Sequence, residues 1–214
     1  MPRPPGRRNQ DFEQKRIQLL EKLTTFVLSE GVEMPSFRQL AIAADTSEPT
    51  LRHYFHDRSG VIVALIKRLS EITEPTWSGR TSSGDTVDET VAQFIDQALK
   101  LQRNPVYARG HAFCIRESMS DTNVQQAFLE YIVEPYLDLF ALRLMKTEGG
   151  PSSVEAAKAA AKILTSSSLF VVMHQKLLGG ENFKPMDVDG YFEFVRTWML
   201  SSMKMAPTGL VQHA

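Results

Sequence analysis

Between Ser47 and Arg58 the chain gathers Thr50, Arg52, His53 and Tyr54, so a hydroxyl, a guanidinium, an imidazole and a phenol fall within five positions. Leu51 and Phe55, four apart, give the same stretch a narrow apolar side and leave the polar set pointing outward or sideways. A basic, hydroxyl-rich and aromatic outer surface exceeds what packing asks of a short helix and suits recognition of a duplex groove. Such a helix has to be held in place. Ser47 can cap it, and Pro49 fits its first turn because the missing N–H has no intrahelical partner there. In front of it, Phe37, Leu40, Ala41 and Ala44 at i, i+3, i+4 and i+7 predict a companion helix over 36–44, opened by a Ser36/Gln39 capping box. Asp45 follows where a sharp turn wants positive φ, which a short polar side chain tolerates. The pair reads as a helix-turn-helix, in which the second helix enters the major groove of DNA and the first braces it across the backbone.

The 214 residues, 43% hydrophobic and 23% charged, suit one or two soluble globular domains. Cys114 is the only cysteine, which excludes an intramolecular disulfide and a cysteine-cluster zinc site. Neither a metal nor a cofactor is expected. No apolar run is read as approaching the roughly 20 residues of a membrane helix, and the N-terminus has no apolar signal region, so the expected location is the cytoplasm, with no membrane partner. The net charge of −1 is unevenly spread: residues 1–70 hold 11 Lys/Arg against 8 Asp/Glu, a balance of +3, and the rest carries −4. That favours an electropositive head on a more acidic body.

The pattern along the chain predicts an all-α fold of about nine helices. Residues 1–10, rich in Pro and Arg, read as a flexible basic arm that lies along phosphates or simply stays solvated. A first helix over 11–30 carries Leu19, Leu20, Leu23, Phe26 and Val27, with Gly31 at its C′ position. After Asp57, Val61, Ile62, Leu65, Leu69 and Ile72 mark a fourth helix ended by Pro75, and 78–85 reads as a loop. Helices over 86–101, 105–117 and 121–146 follow, the last kinked by Pro135. One of about 25 residues begins at Ser153 and stops at Gly179-Gly180, and a last one runs from Asp187 or Asp189 to about Met205. The expected domains are 11–57, a helix-turn-helix head, and 58–205, a helical regulatory and dimerisation body, with a tail over 206–214.

The head resembles that of the TetR family of bacterial repressors. The resemblance rests on Phe26-Val27 before Gly31, Arg38-Gln39-Leu40-Ala41 with Ala44, and Ser47, Thr50, Leu51, Tyr54, Phe55 and Arg58, and spans about a quarter of the chain. Departures from the family pattern stand at Asp45, Thr46, Glu48 and Arg52, none at an apolar position; they bear on which DNA sequence is read. The resemblance implies a base contact from Arg38, whose fork matches guanine O6 and N7, contacts from Thr50 and Arg52 to base edges or nearby phosphates, and phosphate contacts from His53, Tyr54 and Arg58. Ser47 and Pro49 belong to the same DNA-facing surface. Glu48 either accepts from cytosine N4 or repels phosphates. Plain alternatives stand beside these: Arg38 as a solvated charge and Tyr54 as an aromatic at the core edge.

The resemblance also implies a homodimeric, ligand-responsive repressor on a palindromic operator, its last two helices pairing with those of a second copy. Ala156, Ala157, Ala159, Ala160 and Ala161 with Ser166, Ser167 and Ser168 give one small-residue surface; Val188, Tyr191, Phe192, Val195, Trp198 and Met199 give a broad apolar one. The plain alternative is that both are intrachain core. Candidates for a pocket taking a small apolar or amphipathic effector are Phe94, Phe113, Cys114, Met119, Phe128, Tyr131, Tyr136, Met173, His174 and Gln175, each by residue type. An effector-independent architectural dimer is the alternative. An enzyme is not expected: His111 and Cys114 are three apart but lack an orienting third group, and Glu130 and Glu134 lack the histidines of a di-metal bundle.

Overall fold

The computed structural model describes residues 7–29, 32–78, 84 and 86–205. Most of the N-terminal arm, the Gly31 cap, most of the 78–85 loop and the 206–214 tail lie outside the described residues. Among those described the structure is all-α: α1 Arg7–Val27, α2 Phe37–Ala43, α3 Glu48–Phe55, α4 Arg58–Ser78, α5 Val87–Arg103, α6 Pro105–Ser118, α7 Thr122–Phe128, α8 Glu134–Lys146, α9 Val154–Val171, α10 Gly180–Phe183 and α11 Val188–Met205. A π turn over Leu129–Val133 joins α7 to α8, and a second, Val172–Leu177, continues α9. Counting each joined run once, these are the nine rods expected, plus α10, a single turn.

The chain divides into two compact units. The first comprises Met1–Thr73 and Arg109–Ile132. Its buried side chains include Leu19, Leu23 and Val27 of α1, Leu40 and Ala41 of α2, Leu51 and Phe55 of α3, Val61, Ile62, Leu65 and Ile66 of α4, Phe113 and Cys114 of α6, and Val124 of α7. The second comprises Glu74–Ala108 and Val133–Ala214. Its core is built by Val91, Phe94 and Ala98 of α5, Leu137, Phe140 and Leu144 of α8, Ala157, Ala161 and Leu164 of α9, and Phe192, Val195 and Met199 of α11. The division departs from a head ending at residue 57, because α4 up to Thr73 and the segment Arg109–Ile132 group with the first three helices.

Local chemistry sets most boundaries. Asp121 accepts from the Asn123 and Val124 N–H groups at the start of α7, Ser153 from Ala156 N–H at α9, and Asp187 from Gly190 N–H at α11. Asn104 ends α5 and its side-chain oxygen accepts from Val106 and Tyr107 at the start of α6.

Four expectations are corrected. Arg7, Arg8, Asn9 and Gln10 belong to α1 and not to the arm. Pro75 does not end α4, which runs on to Ser78; only one backbone bond is forfeited on an exposed face. Pro135 sits in the first turn of α8, where its missing N–H is tolerated, and the irregularity it requires appears as the π turn before it. Val154–Leu177 is, by length and composition alone, apolar enough to cross a membrane, because alanines raise the average of a helix that packs Ala157, Ala160, Ala161 and Leu164 into its own unit.

Candidate nucleic-acid interface

Ser36 opens α2 with the full reciprocal box: its Oγ accepts from Gln39 N–H at 3.2 Å while its own N–H donates to the Gln39 side chain at 2.8 Å. The helix closes in a Schellman arrangement, with Thr46 N–H donating to Ala41 C=O at 3.0 Å and Asp45 N–H to Ile42 C=O at 2.9 Å. Asp45 occupies the left-handed position at φ 53°, its carboxylate 3.2 Å from Lys22 Nζ of α1. One residue later the chain is extended at Ser47, whose Oγ accepts from Thr50 N–H at 3.2 Å and meets the Thr50 hydroxyl at 2.9 Å. Glu48 and Pro49 form the first turn of α3. His56, at φ 70°, closes it by donating to Arg52 C=O at 2.8 Å. Beyond it a Cβ on Gly60 would lie 2.0 Å from the Phe55 carbonyl oxygen, so only glycine lets α4 start this close to α3.

Leu51 and Phe55 are buried, and the α3 surface left to solvent carries Pro49, Arg52 and His53 exposed, with Glu48, Thr50 and Tyr54 half-buried. Arg38 of α2 and Ser47 are exposed too. Eight of the nine residues expected at the interface are thus exposed or half-buried along α2, the turn and α3. Arg52 lies over the Phe37 ring, 5.1 Å from its centroid, which restrains a long side chain before any partner arrives. Sequence reasoning missed Phe12 of α1. Its ring packs 4.6 Å from Tyr54 and 5.5 Å, edge-on, from His53. The signal was there, since Phe12 precedes Leu19 by seven residues and continues the same helical stripe. It also missed Ile42, which is 67% exposed one turn after Arg38 on α2.

Solved structures similar over most of the chain include GusR from Salmonella enterica, with TM-score 0.64 and 14% identity, covering 89% of this chain and 96% of that one. Another is a protein from Mesorhizobium loti described as a TetR-family transcriptional regulator, with TM-score 0.64, 13% identity, and coverage of 89% and 96%. A third, described as a transcriptional regulator from Pseudomonas aeruginosa PAO1, gives 0.63, 13%, 90% and 94%. The chain has the TetR-family fold. No protein-family model and no curated protein matches the sequence.

Within this TetR-type fold the ninth residue, Arg58, does something other than reach outward. Its Nε donates to Pro35 C=O at 2.8 Å and its Nη2 to Glu117 Oε1 at 2.7 Å. Glu117, on α6, is fully buried and its Oε2 has no hydrogen-bond partner, so the guanidinium is the counter-ion of a carboxylate withdrawn from water. Arg58 thereby ties the first turn of α4 to α6 and to the backbone entering α2. The expectation of a phosphate contact is corrected on that ground.

The effector candidates of the sequence do not gather in one unit. Phe113, Cys114, Met119, Phe128 and Tyr131 belong to the first; Phe94, Tyr136, Met173, His174 and Gln175 belong to the second. Met119 is 64% exposed in the turn after α6, and Met173 also faces solvent, so neither lines an interior. His174 stacks on Phe170 at 5.6 Å, with its Nδ1 2.5 Å from the Gln175 amide. His111 and Cys114 form no nucleophile pair. Burial lowers His111 to about 4 and, with the Glu117 charge, pushes the Cys114 thiol up to about 12, the reverse of an activated thiolate.

The apolar side of α11 divides in two. Phe192, Val195 and Met199 fill the core of their own unit, whereas Trp198 and the unanticipated Phe194 stay 50% and 70% exposed. On α9, Ala157, Ala160 and Ala161 are likewise core, and Ile163 and Phe170, seven apart, are exposed.

Proposed function

We propose that this protein is a DNA-binding transcriptional regulator that acts as a homodimer on a roughly palindromic operator, in the cytoplasm, and releases it when a small amphipathic effector binds its second unit. One observation carries the reading: α3 is held by a Schellman turn, a serine cap and two buried side chains, yet spends its outer surface on Thr50, Arg52, His53 and Tyr54. Tyr54 and His53 also meet Phe12, and Arg52 lies over Phe37, yet Arg52 and His53 stay exposed and Thr50 and Tyr54 half-exposed, as a groove-reading helix requires. Arg38, Thr50 and Arg52 are assigned to base edges, Glu48 to cytosine N4, and His53, Tyr54 and Ser47 to the backbone. Phe12 and Pro49 shape the same face.

The exposed Ile163 and Phe170 of α9 with Phe194 and Trp198 of α11 support dimerisation, because large aromatic and aliphatic groups on two helices of one unit are poorly kept in water. Effector control is a population shift between body conformations, and a coupling of about 1–3 kcal/mol changes operator affinity roughly 5- to 150-fold. Selection of bound fragments from the host genome tests the reading. The expected outcome is one enriched motif with two half-sites separated by about one helical turn, roughly 34–36 Å. Enrichment of every fragment in proportion to length leaves an architectural binder instead.

A further inference from the structure

Helix α2 leaves two dissimilar side chains exposed beside each other. Of its other residues, Leu40 and Ala41 are buried, as is the following Ala44, Ala43 is half-buried, the Phe37 ring is covered by the Arg52 guanidinium, and the Gln39 side chain is engaged by the Ser36 cap. Arg38 and Ile42 remain, both exposed. They are four apart, so they share one helix face with Cβ atoms about 5–6 Å from each other. Ile42 is 67% exposed, and the acid three residues on, Asp45, holds its carboxylate 3.2 Å from Lys22 Nζ. A branched alkyl group thus stands next to a guanidinium, on the face of α2 that the reading above assigns to base edges.

We infer that Ile42 reads the C5-methyl group of a thymine in the major groove. The base edges there present hydrogen-bond donors, acceptors and one apolar group, the thymine methyl, which is the group an alkyl side chain gains by covering. The charged, hydrated phosphates offer Ile42 nothing comparable. Arg38 and Ile42 together then select guanine and thymine by different means, a charge-assisted fork and an apolar contact. Four residues span about 6 Å of helix axis and one base pair about 3.4 Å of duplex, so the thymine lies within about three base pairs of the guanine taken by Arg38. This adds a specificity-determining residue to the DNA-binding reading and rests on that reading.

The test uses the full-length protein and the operator selected from the host genome, with deoxyuridine replacing thymine at one symmetric pair of positions at a time. That replacement deletes the methyl group and keeps every hydrogen-bonding group of the base. Affinity is measured by fluorescence anisotropy at one fixed salt concentration. Deleting the methyl at one thymine within three base pairs of the Arg38 guanine is expected to weaken wild type about fourfold per half-site, the scale of burying a single methyl group. Ile42→Ala should bind the unmodified operator correspondingly more weakly and lose its sensitivity to deoxyuridine at that position alone, and Ile42→Val should keep part of it. Because the side chain is exposed, both variants should keep the wild-type urea midpoint. An operator with no thymine in that window, a scan that leaves wild type unaffected there, or a thymine equally sensitive in wild type and Ile42→Ala overturns the contact while the DNA-binding reading stands. Failure to select any duplex over random DNA removes the DNA-binding reading itself, and the contact with it.

Discussion

Replacing Arg58 with Met distinguishes a strut from a phosphate contact, because the two roles fail in different ways. Glu117 is fully buried and Arg58 is its ion-pair partner at 2.7 Å, with 30% of the Arg58 side chain still accessible. Removing one member of a buried pair typically costs about 3–5 kcal/mol, since the remaining charge is stranded; partial access of water to Arg58 reduces this to about 2–4 kcal/mol here. Arg58→Met should therefore lower the stability from urea denaturation by that amount. Adding Glu117→Leu should recover most of the loss, because the double variant buries no charge. Operator affinity against salt completes the assay. The double variant should keep the wild-type slope of log K on log [salt], whereas a lost phosphate contact flattens it by about one unit per half-site. A single variant within about 0.5 kcal/mol of wild type, no recovery in the double, or a flattened slope refutes the strut.

Three further outcomes are expected. Arg38→Ala should cost about 1–3 kcal/mol on the selected operator and relax discrimination at one base pair, read by a panel of single-base variants; equal loss on all of them moves Arg38 to the phosphate class. Asp45→Gly should raise stability by about 0.5–1 kcal/mol in urea melts, because glycine adopts the φ of 53° without strain and the exposed Lys22 pair contributes little; a loss above about 1 kcal/mol contradicts this. His111 is lowered to about 4 in the folded chain from an ordinary 6.5, so the unfolded chain binds the extra proton between those values. Stability contributed by the neutral ring is present above pH 6.5 and falls on acidification toward pH 4, by at most about 3 kcal/mol, and His111→Phe should flatten that segment of the pH profile.

What was legible in the sequence is what local chemistry decides. The Ser36/Gln39 box, the Asp45 turn, the Ser47 cap, the helix starts at Asp121 and Ser153 and the buried Leu51/Phe55 pair each depend on residues within a turn or two of one another. What was not legible depends on distance along the chain. Arg58 looked like a free cation because its partner, Glu117, lies 59 residues away. Phe12 continues the α1 stripe legibly, but its packing against Tyr54 and His53 of α3, more than forty residues on, was not legible. Pro75 and Pro135 are tolerated inside or at the start of helices because packing outweighs one lost backbone bond, which a propensity argument weighs the other way. The effector candidates were chosen by residue type, and type does not say which unit a side chain joins. Arg143, a charge in a helical stripe, gave no sign that it would be covered.

The central claim, that the outer surface of α3 reads the major groove, is tested most directly by methylation interference on an operator fragment obtained by selection. The account predicts that methylation at guanine N7, in the major groove, blocks binding at two symmetric clusters about one helical turn apart, and that Arg38→Ala or Arg52→Ala removes the block at one base pair in each cluster. Interference confined to adenine N3 in the minor groove, or binding indifferent to methylation in either groove, contradicts it.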